Sequence, residues 1–244
     1  MNLQLFEKKQ ITPDVIEFYF RPDMPLVWRA GQFLRYRIPN ASPDDRGENR
    51  FFSIASAPHE GHVLLTTRFA PEKGSTFKSD LQKLEVGQSV EAMGPSGHFV
   101  IDDPNNHFVF IAGGIGITPL RAILMDLEAN GQPLNVSLLY ANRTKEALFK
   151  EDLEKLAKKH SEFKIFYIIS DEPVNDEKVT ENVRLVPGQI DQALIANLVP
   201  DFKDAIFYIS GPEPMVLSLE QAINTLGVPN ENMKRDYFPG YDHF

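Results

Sequence analysis

IAGGIGITPLRAIL, running from Ile111 to Leu124, joins an apolar strand to a helix through a glycine turn. The strand is HFVFIA, ending at Ala112, and the turn is Gly113, Gly114, Ile115 and Gly116. The helix is expected to begin near Thr118 or Pro119, because proline suits a first helical turn and threonine can cap it. Such a corner aims backbone N–H groups and the positive end of a helix at one point, where a phosphate can sit. A lone corner of this kind is as often a bare tight turn.

The pattern changes on either side of this stretch. Residues 1–100 read as short alternating strands, VIEFYFRP, FLRYRIP, HVLLTTRF and QSVEAMGP, separated by Pro, Gly and Asp turns. Even spacing of short strands predicts an antiparallel β-barrel or sandwich. One helix interrupts them, Ser75 to Leu84, with Phe77, Leu81 and Leu84 on one face and Ser75 or Thr76 as its cap. From His107 onward, apolar strands alternate with amphipathic helices, which predicts a mostly parallel sheet covered on both faces. The expected domains are 1–101 and 107–244, with a polar, turn-rich boundary at Ile101 to Asn106. Ser170 to Arg184 is polar and reads as a mobile surface loop.

Bulk properties narrow the classes of function. The 244 residues are 42% hydrophobic, enough for two small cores. Charges balance over residues 1–100, so the whole net charge of −9 falls on residues 101–244. An acidic second half argues against nucleic acid as partner. No apolar run reaches the about 18 residues of a membrane span, and the start MNLQLFEKKQ has no signal-peptide pattern. Cysteine is absent, so these residues hold no disulfide and no cysteine-ligated iron–sulfur cluster. The six histidines lack metal-ligand spacing, and no metal site is expected. Together these features lead to the expectation of a cytoplasmic protein without an iron–sulfur domain.

Two further runs share the chain with the glycine corner: NRFFSIASAP, Asn49 to Pro58, and FYISGPEPMV, Phe207 to Val216. With these three motifs in this order, from about Leu3 to Phe238, the sequence resembles the ferredoxin–NADP reductase family of flavoproteins. The resemblance implies a flavin-binding barrel followed by a Rossmann-like nucleotide domain. Arg50-Phe51-Phe52-Ser53 is similar to the family's Arg, any residue, Tyr, Ser or Thr. It implies that Arg50 pairs with flavin phosphate, Phe52 packs on the isoalloxazine ring, and the Ser53 hydroxyl bonds flavin N5 as the catalytic contact. Each role suits the residue: a planar fork for phosphate, a flat apolar ring, and a hydroxyl that donates and accepts. Phe52 lacks the phenolic hydroxyl of the family tyrosine. Strand alternation sets Arg50 and Phe52 on one face and Phe51 and Ser53 on the other, so a bulge or twist is needed for all three to reach one ligand. Read alone, Phe51 and Phe52 are equally core residues of a barrel strand.

The resemblance extends to Lys73-Gly74-Ser75-Thr76, where Gly74, Ser75 and Thr76 would receive the flavin pyrophosphate of FAD, and to Thr67 with Arg68 near its adenylate half. A capped turn explains the same residues. GPSGHF, Gly94 to Phe99, also resembles a family signature, with glycines that shape the barrel edge. Gly113, Gly114, Ile115, Gly116 and Thr118 would surround the pyrophosphate of a pyridine nucleotide. Arg143, at the end of VSLLYANR, resembles a position that contacts the adenosine 2′-phosphate. With no acidic residue at that strand end, NADPH is expected over NADH. Ser210-Gly211-Pro212-Glu213-Pro214-Met215 is similar to the family's Cys-Gly-Pro-x-x-Met beside the nicotinamide, with Ser210 in place of cysteine. Asp236 and Phe238 resemble the acidic and aromatic residues that end the last strand near the flavin, and Tyr241 or Phe244 beyond them would cover it or fray. The implied activity is hydride transfer from NAD(P)H to FAD, then electron transfer to a separate acceptor, protein or small molecule, such as ferredoxin or flavodoxin. The alternative is a flavin- or nucleotide-binding regulatory module without turnover.

Overall fold

Asn2–Thr12 forms the longest strand, β1, although its charged second half hides it from a simple alternation reading. Leu3 and Leu5 are fully buried on either side of the exposed Gln4, and this buries one face of the strand. The computed structural model describes residues 1–39, 43–45, 47–69 and 75–238, the last without its side chain. It divides into two compact units, Met1–Val100 and Ile101–Phe244.

In the first unit β1 is followed by β2 (Val15–Pro22), β3 (Phe33–Arg37), β4 (Asn49–Ser53), β5 (Val63–Arg68), helix α1 (Thr76–Lys83) and β6 (Ser89–Ser96). The six strands pair antiparallel in the order β4-β3-β6-β1-β2-β5. The inward residues Leu3, Leu5, Phe18, Phe20, Leu34, Tyr36 and Leu65 make the core, and α1 adds Phe77 and Leu81. Phe18 and Phe20 stack with centroids 6.3 Å apart. Each large apolar side chain taken fully out of water contributes roughly 1.5–3 kcal/mol. Ser75 caps α1 by accepting from the Lys78 N–H at 3.2 Å. At the other end of α1, the Lys8 ammonium donates to the Gln82 and Leu84 carbonyls.

The second unit runs β7 (Phe108–Gly113), α2 (Ile117–Ala129), β8 (Val136–Asn142), α3 (Lys150–Lys159), β9 (Phe163–Ile169), β10 (Glu177–Thr180), β11 (Val183–Pro187), α4 (Gln192–Leu198), β12 (Ile206–Pro212), α5 (Glu213–Thr225) and β13 (Met233–Phe238). The sheet order is β10-β11-β9-β8-β7-β12-β13. All neighbours are parallel except β10 with β11. Every residue of β7 is buried, as an interior strand of a doubly covered sheet requires. From β7 the chain moves outward through β8 and β9, then returns to lay β12 on the other side of β7. The carboxyl ends of β7 and β12 therefore flank the point where strand order reverses. Open α/β sheets leave a ligand crevice there.

Two sequence expectations need correction. The helix after the glycine turn begins at Ile117, after a single 3₁₀ turn over Gly114–Gly116. Thr118 lies inside it and donates to the Ile115 carbonyl at 3.1 Å instead of capping the helix. The tight turn uses up the residues that a longer loop would have left before a cap. Secondly, the polar stretch from Ser170 to Arg184 is not simply a loop. It contains β10 and the start of β11, and β11 pairs parallel with β9 from Val183 to Pro187. Two buried valines, Val183 and Val186, hold β11 to the sheet among residues whose average polarity suggests a loop.

We predict that amides of Leu185 and Val186 exchange with deuterium far more slowly than those of residues 174–176, because only the former lie in the ladder. Equal, rapid exchange across 174–186 would show that β11 does not form in solution.

Candidate cofactor sites

In the first unit the Arg50 motif lies on β4, whose pairing with β3 runs unbroken from Asn49 to Ser53. No bulge re-aims a side chain, so bringing Ser53 to the ligand of Arg50 and Phe52 falls to the twist of the strand. Arg50 and Phe52 share the face toward α1: the Arg50 guanidinium lies 5.6 Å from the Phe77 ring centroid, and Phe52 meets Phe77 at 5.9 Å. Phe52 is 8% exposed and also packs edge-on against Tyr36. Phe51 points the other way, 61% exposed, against the edge of Phe33. Ser53 and Thr67 are both buried.

Both terminal nitrogens of the Arg50 guanidinium are engaged. Its Nη1 donates to the Gly47 and Asn49 carbonyls at 2.8 and 2.7 Å. Its Nη2 donates to both carboxylate oxygens of Asp44 at 2.6 and 2.8 Å. Asp44 in turn accepts from the Thr76 N–H at 3.1 Å, at the start of α1, and its own N–H donates to the Thr76 hydroxyl at 3.0 Å. Arg50 and Thr76, separated by 26 positions in sequence, thus meet on one carboxylate. Gly74, Lys73, Tyr241, Phe244 and the Phe238 side chain lie outside the described residues.

In the second unit the glycine corner and the Ser210 motif are packed against each other. A Cβ on Gly116 would fall 2.2 Å from the Ser210 carbonyl oxygen, and one on Gly113 would fall 2.3 Å from the Met215 sulfur. Gly211 sits against the Gly113 backbone, where its own Cβ would be 3.2 Å from the Gly113 nitrogen. Gly114 adopts φ +51°, a left-handed conformation that glycine accepts without strain. Tyr140, fully buried, donates its hydroxyl to the Gly114 carbonyl at 3.0 Å and pins the turn. Ile115 and Thr118 are buried beneath it. Ser210 is fully buried and its hydroxyl has no hydrogen-bond partner among the described residues. Ser210, Gly211 and Pro212 lie beside Asp236, Tyr237 and Phe238 in parallel register. Pairs of glycines that admit close backbone approach and a buried, unsatisfied hydroxyl at a sheet's switch point suit a nucleotide.

Arg143 is exposed at the end of β8, and its surroundings correct the reading of this strand end. Asp171, 28 positions later, accepts from the Arg143 Nε at 2.5 Å. Glu172 accepts from the Lys145 N–H at 2.8 Å and lies 3.4 Å from its ammonium. Ser170 and Asp171 reach these positions because their N–H groups pair with the Asn142 and Arg143 carbonyls, extending the β8–β9 ladder past its end. The Ser170 hydroxyl and then Arg143 hold the Asp171 carboxyl below the usual carboxylate range. Acidic residues do stand at the strand end. They come from the neighbouring strand, which a reading along β8 alone cannot see. Among the described residues, no group of three or more His, Asp or Glu side chains is placed to hold a metal ion.

Comparison with known proteins agrees with this division. Residues 2–101 match the oxidoreductase FAD-binding domain family, and residues 110–221 match the oxidoreductase NAD-binding domain family. The chain is 38% identical over 239 residues to NADH-cytochrome b5 reductase 1 of Pyricularia oryzae, covering 93% of this chain and 74% of that protein. It belongs to the ferredoxin–NADP reductase family of flavin oxidoreductases. Its two domains are those this family uses for FAD and a pyridine nucleotide. Flavohemoprotein of Burkholderia sp. (strain TH2) is 24% identical over 95% of this chain, and the chain spans 57% of its length. The cytochrome b5 reductase domain of Ulva prolifera nitrate reductase has the same fold, with a TM-score of 0.81, 26% identity and 96% coverage of each chain. No helix among the described residues is long and apolar enough to cross a membrane.

Family sequence patterns pointed to Arg50, Gly113, Gly116 and Ser210, but not to Asp44, Tyr140, Asp171 or Glu172. Each of these four is brought to the site from another element, and none sits in a motif. We predict that Gly116→Ala destabilises the second unit by about 3 kcal/mol, the upper end of overpacking costs. Gly114→Ala, with open space at its Cβ position, should cost about 1 kcal/mol from the left-handed backbone alone. Guanidinium unfolding of both variants tests the ranking, and equal losses would show that the Gly116–Ser210 approach relaxes freely.

Proposed function

We propose that the protein is an NADH-preferring flavoprotein reductase that carries reducing equivalents from a pyridine nucleotide through FAD to a separate acceptor. The observation that carries this reading is the apposition of Gly113–Gly116 with Ser210–Met215 at the switch point of the second sheet. The matched FAD-binding family supports FAD as the flavin. Bound together, the two cofactors supply the hydride and single-electron chemistry, and the protein supplies position.

In this reading Arg50, Gly74, Ser75 and Thr76 hold the flavin phosphates, Thr67 borders the adenylate half, and Phe52 offers aromatic surface. The Ser53 hydroxyl serves flavin N5. In the second unit Gly113, Gly114, Ile115, Gly116 and Thr118 frame the nucleotide pyrophosphate. Ser210, Gly211, Pro212 and Met215 border the nicotinamide. The acceptor is a separate protein, such as ferredoxin or flavodoxin, or a small molecule.

Asp171 turns the coenzyme preference from NADPH toward NADH. A dianionic 2′-phosphate approaching Arg143 meets a carboxylate already bonded to that guanidinium. A ribose diol instead finds an acceptor for its hydroxyls, the role an acidic strand-end residue plays in dinucleotide sites.

Anaerobic addition of NADH to the purified protein should bleach the flavin spectrum, and heat should release FAD. A flavin that stays oxidised, or release of FMN alone, would sink the reading. Ser53→Ala should keep its flavin and bleach about fivefold more slowly, the effect of one lost hydrogen bond of about 1 kcal/mol.

Asp171→Ser should raise kcat/KM with NADPH about tenfold relative to NADH, since an unpaired Arg143 can then meet the phosphate. Wild-type protein that already favours NADPH would count against the assigned role of Asp171.

A further inference from the structure

Asp44 occupies the groups that the flavin phosphates need. This inference rests on the reading above, in which Arg50 and the start of α1 receive those phosphates. The Asp44 carboxylate takes both hydrogen bonds of the Arg50 Nη2 and the Thr76 N–H, and its backbone engages the Thr76 hydroxyl. The ion pair is sheltered, with side-chain exposures of 13% for Arg50 and 19% for Asp44. A carboxylate and a phosphate ask the same things of a site: a guanidinium fork and a free backbone N–H. The two anions therefore compete for one set of donors.

We infer that Asp44 is a built-in competitor of the flavin phosphates, which holds the cradle together in flavin-free protein and swings off Arg50 as FAD enters. The remaining Arg50 bonds favour this exchange. Its Nη1 stays on the Gly47 and Asn49 carbonyls, so the guanidinium keeps its place when the carboxylate leaves. The Phe77 ring beneath it belongs to the core and does not depend on Asp44. Displacing a paired carboxylate lowers the net gain from binding phosphate, so Asp44 sets FAD affinity and loading rate without belonging to the redox chemistry.

Full-length apoprotein, titrated with FAD and followed by quenching of flavin fluorescence, tests this. In Asp44→Asn the amide oxygen can still accept from Thr76 N–H, but the charge is gone. FAD should bind about tenfold more tightly and associate faster than with wild type. Asp44→Ser, which can also cap the helix, should shift affinity the same way. The melting temperature of Asp44→Asn apoprotein should fall below wild type, and inorganic pyrophosphate alone should raise it at concentrations that leave wild-type apoprotein unmoved. If Asp44→Asn and Asp44→Ser bind FAD equally or more weakly while Arg50→Ala binds it weakly, Asp44 supports Arg50 and does not compete, and the inference is overturned. If Arg50→Ala keeps wild-type FAD affinity, the phosphate reading of Arg50 has failed, and the inference with it.

Discussion

Close backbone approach at the reversal point of the second sheet is the constraint on which its binding chemistry rests. Gly116 admits the Ser210 carbonyl only because it has no side chain, and Gly113 and Gly211 allow the same between their own strands. Once β7 and β12 are pressed together there, the 3₁₀ turn is fixed by Tyr140 from β8 and by Thr118 from within α2. The motifs from Ile111 and from Phe207 become a single surface. Tight packing of this kind leaves few soft coordinates, so the turn is presented in one conformation instead of being assembled around a ligand.

Most of the architecture was legible because its periodicities are undiluted. β7 is apolar throughout and can only be interior, while VIEFYFRP alternates and belongs to a barrel wall. Elements were lost where the signal was mixed. The charged half of β1 concealed a strand, and the acidic residues around β10 and β11 concealed two more. Motif glycines were readable because their role is local. Asp44, Tyr140 and Asp171 were not, because what they do depends on which strand or loop lies beside them, and a single sequence carries no such adjacency.

A common arrangement recurs in the two units. Arg50 and Arg143 are the guanidiniums the family pattern offers to phosphate, and each is already met by an aspartate from another segment. The environments differ. Arg50 and Asp44 are sheltered, whereas Arg143 and Asp171 stand in solvent with side-chain exposures of 67% and 44%. Water screens the second pair, so its mutual attraction is weaker than that of the first.

Ser210 has one more consequence. The family pattern places a thiol there, the most oxidisable group a reductase can carry next to its substrate. In this chain the position is a hydroxyl, sealed from solvent, and the 244 residues hold no cysteine elsewhere. Thiol-directed electrophiles therefore find no target among these residues, since a serine hydroxyl has no equivalent of the thiolate ladder from sulfenic to sulfonic acid. The sulfur that remains beside the glycine corner is the Met215 thioether, whose oxidation stops at a sulfoxide that can be reduced back.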